Sequence, residues 1–106
     1  MSDHVSGLVS VGIVDDHELV RQGLQSLLED ASHDRAFAQV LYCGADPSAC
    51  QEAMPRVALL DVDLGNAAPR VEESVAMLVE AGIAVLMISA HDDARSIRAG
   101  LGAGAL

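Results

Sequence analysis

The sequence contains no lysine and no tryptophan, and Phe37 and Tyr42 are its only aromatics. All 6 bases are arginines; against 16 acids they leave a formal net charge of −10 at pH 7. With no basic patch to neutralise phosphates, the chain is a poor candidate for binding nucleic acid directly. A cation or a basic partner surface suits the charge instead. Cysteine is scarce too: Cys43 and Cys50 have no third or fourth ligand nearby, so they do not form a zinc-type pattern. They read as reduced, semi-buried thiols of a cytoplasmic protein rather than a disulfide. No long apolar run and no basic leader occurs, so neither a membrane span nor a signal peptide is expected.

With so few aromatics, the core has to be built from Val, Leu, Ile, Ala and Met, within a hydrophobic content of 51%. That composition is globular, and 106 residues support one domain over residues 1–106. Leu8 to Val14 is apolar and β-branched and ends at Asp15-Asp16, which predicts a first strand. Val20, Leu24, Leu27 and Leu28, with Leu19 beside them, recur at helical spacing over His17 to Asp30. Asp16 is placed to cap this helix and Glu18 to favour its positive end. Ala36 to Cys43 reads as a second strand and Ser48 to Met54 as a short helix stopped by Pro55.

Val57-Ala58-Leu59-Leu60 runs straight into Asp61, as expected of a strand buried on both faces. Val71, Val75, Leu78 and Val79 share a helical face closed by Ala81-Gly82. Ala84 to Ser89 is a fourth strand. Asp92-Asp93 caps a last helix with Ile97 and Leu101 inward, and glycines at 100, 102 and 104 weaken its end. The alternation βαβαβαβα with short connections predicts an α/β fold with a doubly wound parallel sheet.

In such sheets ligands bind beyond the carboxyl ends of the strands. Three predicted strands end in oxygen-bearing side chains: Asp15 and Asp16, then Asp61, then Ser89. Three carboxylates in one crevice stay ionised together only with a cation, and a hard divalent ion such as Mg²⁺ meets that need. Asp61 is then an oxygen nucleophile beside a Lewis acid, suited to forming an aspartyl phosphate. The Ser89 hydroxyl and the backbone N–H groups of Val62 and Ala90 are candidate donors to its oxygens.

These residues resemble the receiver domain of bacterial two-component response regulators, most closely receivers that precede helix-turn-helix output domains. The resemblance rests on VGIVDDHELVRQGLQSLL (residues 11–28), VALLDVDL (57–64), VLMISAHDD (85–93) and IRAGLGAGAL (97–106). It implies a flavodoxin-like fold with strand order 2-1-3-4-(5), Asp61 as phosphoacceptor, and Mg²⁺ held by Asp15, Asp16, Asp61 and the backbone carbonyl of Asp63. Ser89 matches the switch hydroxyl. It further implies a sensor histidine kinase as phosphodonor and self-catalysed phosphorylation rather than enzyme turnover. DNA would be reached only through an output domain outside this chain, and transcription would be regulated that way.

Two departures stand beside the resemblance. The family's lysine after a fifth strand has no counterpart, and the usual Met-Pro pair after the phosphoacceptor is replaced by Leu64-Gly65. With the fifth strand and helix absent, the chain is expected to be a C-terminally truncated fragment, or to gain cover as a homodimer through its helix 4 and strand 4 side.

Other readings remain open. Asp61 and Ser89 fit simple strand-end roles, and Asp16 can serve as cap and ligand at once. His17 and His91 read as solvated or outer groups, His4 and His33 as surface. A phosphorylation-silent interaction module follows if the missing lysine disables the chemistry. Asp61-Val62-Asp63 also resembles the nucleophile motif of haloacid-dehalogenase-like phosphohydrolases, although it comes third rather than first and lacks the following Gly-Thr.

Overall fold

Two apolar runs that end in carboxylates form the centre of the sheet. The computed structural model describes residues 9–29, 38–65, 69–89 and 94–106. Strands β1 (Val9–Val14), β2 (Ala38–Gly44), β3 (Val57–Asp61) and β4 (Ala84–Ile88) alternate with helices α1 (Glu18–Glu29), α2 (Pro47–Ala53), α3 (Val71–Glu80) and α4 (Ala94–Gly102). Every pairing is parallel and the order is β2-β1-β3-β4. The doubly wound α/β architecture is therefore the one the alternation predicts. The expected positions of Leu8, Asp30, Ala36, Phe37 and Asp92-Asp93 lie outside the described residues, as do His4, His33, Ala90 and His91.

Side chains alternate across the sheet with the period of a strand. Val11, Ile13 and Ala38 pack with Leu24 and Leu28 of α1 on one face, joined by Leu59. Val14, Ala58, Leu60 and Val85 face the other way, against Cys50 of α2 and Val75 and Leu78 of α3. Both cysteines are free, Cys50 buried and Cys43 half-buried. Burial raises both thiols, that of Cys50 to about 11, so neither is ionised near neutrality.

β2 carries an irregularity that its sequence does not announce. Val11 pairs with Val40 and Gly12 with Tyr42, so Leu41 is an extra residue left outside the ladder. The bulge puts the Tyr42 hydroxyl where it accepts the Asp46 N–H at 2.9 Å. Asp46 in turn caps α2, its Oδ1 accepting from Ser48 N at 2.9 Å, with Pro47 at the first helical position. The helix thus starts at Pro47, one residue before the expected Ser48. It stops at Met54, which adopts a left-handed backbone at φ 55°.

α3 and α4 end alike. Gly82 N–H bonds Val79 O and Ile83 N–H bonds Leu78 O; Gly104 N–H bonds Leu101 O and Ala105 N–H bonds Gly100 O. With φ of 87° at Gly82 and 118° at Gly104, both are Schellman caps. The glycine at 104, expected to weaken the helix, instead closes it. Beyond that cap, Leu106 N–H bonds Val85 O at 2.9 Å, a first rung on the outer edge of β4.

Two inward faces differ from expectation. Among the described residues, Leu24 and Leu28 are the apolar side chains of α1 packed on the core, whereas Leu27 is 71% exposed, and Leu19 and Val20 also face solvent. α1 rests on β2 and β1, and Val20 and Leu27 lie on a flank outside that contact. In α4 the buried residue is Gly100, pressed against Met87, with Ile97 half-buried and Leu101 exposed.

Leu60→Ala is accordingly expected to cost about 2–5 kcal/mol, against about 0.5 kcal/mol or less for Leu27→Ala, in chemical denaturation. Equal costs would place Leu27 in the core. Among the described residues, Ser74, buried in α3, has no hydrogen-bond partner for its Oγ. Ser74→Ala is expected to stabilise the chain by about 1 kcal/mol, and a loss of stability would reveal a partner for the hydroxyl.

Candidate functional site

The crossing from β1 into α1 brings the first two acids to the strand ends. Asp15 N–H donates to Gly44 O at 2.9 Å, which extends the β1–β2 ladder one residue past the strand. Its carboxylate, only 4% exposed, turns inward, and Oδ1 accepts the His17 N–H at 2.8 Å. Arg21 Nη1 donates to the Asp15 carbonyl at 2.7 Å, tying the turn to the first coil of α1. Asp15 therefore closes the turn before α1, the role expected of Asp16. The Asp16 carboxylate is more open to solvent.

Asp61 is the last residue of β3 and pairs with Ile88. Its side chain is 8% exposed, and its Oδ1 accepts the Asp63 N–H at 3.1 Å. Asp63 directs its own carboxylate to the Gly65 N–H at 3.2 Å, not into the cluster. Gly65 brings the loop after β3 back over Asp16, since a Cβ there would lie 3.8 Å from Asp16 Oδ2. Ser89 follows β4 beside the Asp61 strand and is half-buried. Val62 N–H, expected to face a phosphoryl group, instead donates to Ile88 O at 3.1 Å and continues the ladder.

Asp15, Asp16, His17 and Asp61 offer ligand atoms that all lie within 4.8 Å of one another. The sequence pattern foretold three of these. His17, read as a solvated or outer group, is 63% exposed, and its Nδ1 sits 3.0 Å from Asp15 Oδ1, 3.0 Å from Asp16 Oδ1 and 3.7 Å from Asp61 Oδ2. Its place directly after an acid pair at a strand end brings it there. The ring's hydrogen bond to Asp15 and the Asp16 charge raise the imidazole's pKa.

Burial raises the Asp61 carboxyl, aided by the Asp15 and Asp16 charges and opposed by the Asp63 N–H. Two carboxylates more than nine-tenths buried on adjacent strands fit a hard cation, and among the described residues the only basic side chain against them is that of His17. Alongside lies a cleft of about 390 Å³ whose lining includes Val62, Asp63, Gly65, Arg70, Arg95 and Ser96.

A raised carboxyl pKa adds stability below the unfolded-state value that is lost as pH climbs through the folded-state value. Without metal, the chain is expected to lose stability over that window, and Asp61→Asn to lose less. Melting midpoints followed from acid to neutral pH check this; parallel curves for the two proteins would rule out a raised Asp61.

Neither the protein-family models nor the curated proteins contain a match to this chain. Solved structures do. The signal receiver domain of the response regulator NarL from Mycobacterium tuberculosis is 31% identical, with a TM-score of 0.75 over 92% of this chain and 79% of that one. A LuxR-family two-component response regulator from Aurantimonas is 22% identical, with a TM-score of 0.73 over 92% of this chain and 70% of that one. The isolated receiver domain of RcsB from Salmonella enterica, solved with the phosphomimetic BeF₃⁻, is 14% identical, with a TM-score of 0.72 over 92% and 73%. At these lower identities the last two share the fold alone.

Proposed function

Because the chain belongs to the receiver domains of response regulators, we propose that Asp61 accepts a phosphoryl group from a sensor histidine kinase. The observation that carries this reading is the convergence of Asp15, Asp16 and Asp61, from the ends of two adjacent parallel strands, within 4.8 Å. Asp15, Asp16, Asp61 and the Asp63 carbonyl are the groups that would hold Mg²⁺. When bound, the ion supplies a Lewis acid that neutralises charge on the transferring phosphoryl.

A carboxylate oxygen of Asp61 attacks phosphorus, forming an O–P bond as the N–P bond of the kinase phosphohistidine breaks. The electron pair leaves with the donor imidazole, which takes up a proton. Burial strips water from Asp61 and favours attack once a cation offsets the neighbouring charges. Arg70 and Arg95, two of the 6 bases of an otherwise acidic chain, line the adjoining cleft and favour the approach of an anionic donor. The Ser89 hydroxyl then donates to a phosphoryl oxygen and carries the change of state into β4.

On this reading the chain is a cytoplasmic signalling phosphoacceptor that catalyses only its own phosphorylation and dephosphorylation. Among the described residues no helix is long and apolar enough to cross a membrane. Output runs through a separate DNA-binding domain or through a homodimer on the β4 and α4 side, where Leu86 and Leu101 are exposed. The absence of any lysine favours a second reading, a phosphorylation-silent interaction module.

Beryllofluoride with Mg²⁺ separates the two. The parent is expected to gain several degrees in melting midpoint only when both are present; Asp61→Asn should gain nothing and Ser89→Ala less than the parent. A parent that fails to respond is the silent module, and an Asp61→Asn variant that responds equally removes Asp61 as acceptor.

A further inference from the structure

The cluster at the strand ends is not purely acidic. His17 Nδ1 lies 3.0 Å from both Asp15 Oδ1 and Asp16 Oδ1. The first is a hydrogen bond, and both separations also match the spacing of about 3.0 Å between neighbouring ligand atoms on an octahedral ion with bonds of about 2.1 Å. The third separation, 3.7 Å to Asp61 Oδ2, is longer than that spacing, so this oxygen would have to close in to share the ion. The ring is fixed from its backbone: His17 N–H is held by Asp15 Oδ1, and His17 O accepts the Arg21 N–H at 3.0 Å as α1 begins. A nitrogen donor is thus built into the turn at the place where the two carboxylates of β1 and the buried carboxylate of β3 meet.

We infer that His17 is a metal ligand through Nδ1, and that it tunes this centre toward divalent transition ions of the Mn²⁺ to Zn²⁺ series over Mg²⁺. The inference rests on the reading of the acid cluster as a cation site. Mg²⁺ takes oxygen ligands and keeps its waters, whereas imidazole suits the later first-row ions, whose affinity for nitrogen rises along the series. Three carboxylates alone offer the oxygen set that Mg²⁺ favours; adding the imidazole shifts the balance. The opposing view makes the ring a counter-charge that a metal must displace, and it predicts the reverse effect of removing the ring.

Calorimetric titration of the full chain with Mg²⁺, Mn²⁺ and Co²⁺ in mildly alkaline buffer, repeated on His17→Ala, decides between them. Pulsed electron paramagnetic resonance of bound Mn²⁺ reads nitrogen coordination directly. The parent is expected to show coupling to a directly bound ¹⁴N. His17→Ala should lose that coupling and about tenfold or more in Mn²⁺ and Co²⁺ affinity, since even outer partners of a metal ligand are worth that much. Its Mg²⁺ affinity should stay the same. The ring is 63% exposed, and the metal-free melting midpoint of the variant confirms that it folds.

Absence of nitrogen coupling, an unchanged ratio of Mn²⁺ to Mg²⁺ affinity, or tighter binding of both ions by His17→Ala would each overturn the inference. Asp15→Asn and Asp61→Asn separate the two levels. If they abolish Mg²⁺ binding while His17→Ala leaves the ratio untouched, the acid site stands and the histidine ligand falls. A parent that binds none of the three ions removes both.

Discussion

Burying Asp15 and Asp61 side by side is the constraint on which the site depends. Two unit charges about 4 Å apart repel by about 4 kcal/mol at an effective dielectric of 20. The backbone hydrogen bond that Asp61 accepts from Asp63 offsets roughly 1.5–3 kcal/mol of such a penalty. The remainder is answered by a proton, by the His17 ring or by a metal. Which of the three is present sets the charge at the mouth of the sheet, and a phosphoryl acceptor needs the last. The raised Asp61 carboxyl and the raised His17 imidazole are two expressions of one imbalance.

Much of this was legible in the sequence because parallel sheets impose simple rules. A strand covered on both faces reads as an unbroken apolar run, and chain order then places its carboxyl end beside that of its neighbour. Asp15, Asp16 and Asp61 could be placed together from those rules alone. Their finer division of labour could not. Asp15 rather than Asp16 closes the turn, because the residue directly after β1 points into the sheet edge and its oxygen reaches the His17 N–H. The Val62 N–H likewise went to the ladder, since pairing with β4 continues one residue beyond the strand.

The misjudged helix faces have a different cause. Helical spacing marks which residues share a side, but the width of the buried stripe depends on what lies opposite. α1 covers β2 and β1, so Leu24 and Leu28 are inside while Val20 and Leu27 are not. The bulge at Leu41 had no sequence signal at all, because it is defined by the register of a partner strand. Such features depend on non-local pairing, which local propensity does not encode.

The position of the acid cluster on β1 and β3 has a consequence for how the molecule breathes. These are the two interior strands, bonded on both sides, and amides in such strands exchange with solvent mainly through global opening. Asp15, one residue past β1, is tied to β2 through Gly44, and Asp61 is paired with Ile88 of β4, so the acids are held from both flanks of the sheet. A ligand that relieves the repulsion therefore slows exchange throughout the core rather than in one loop, and the charge state of three side chains is communicated to the whole sheet by its least labile part.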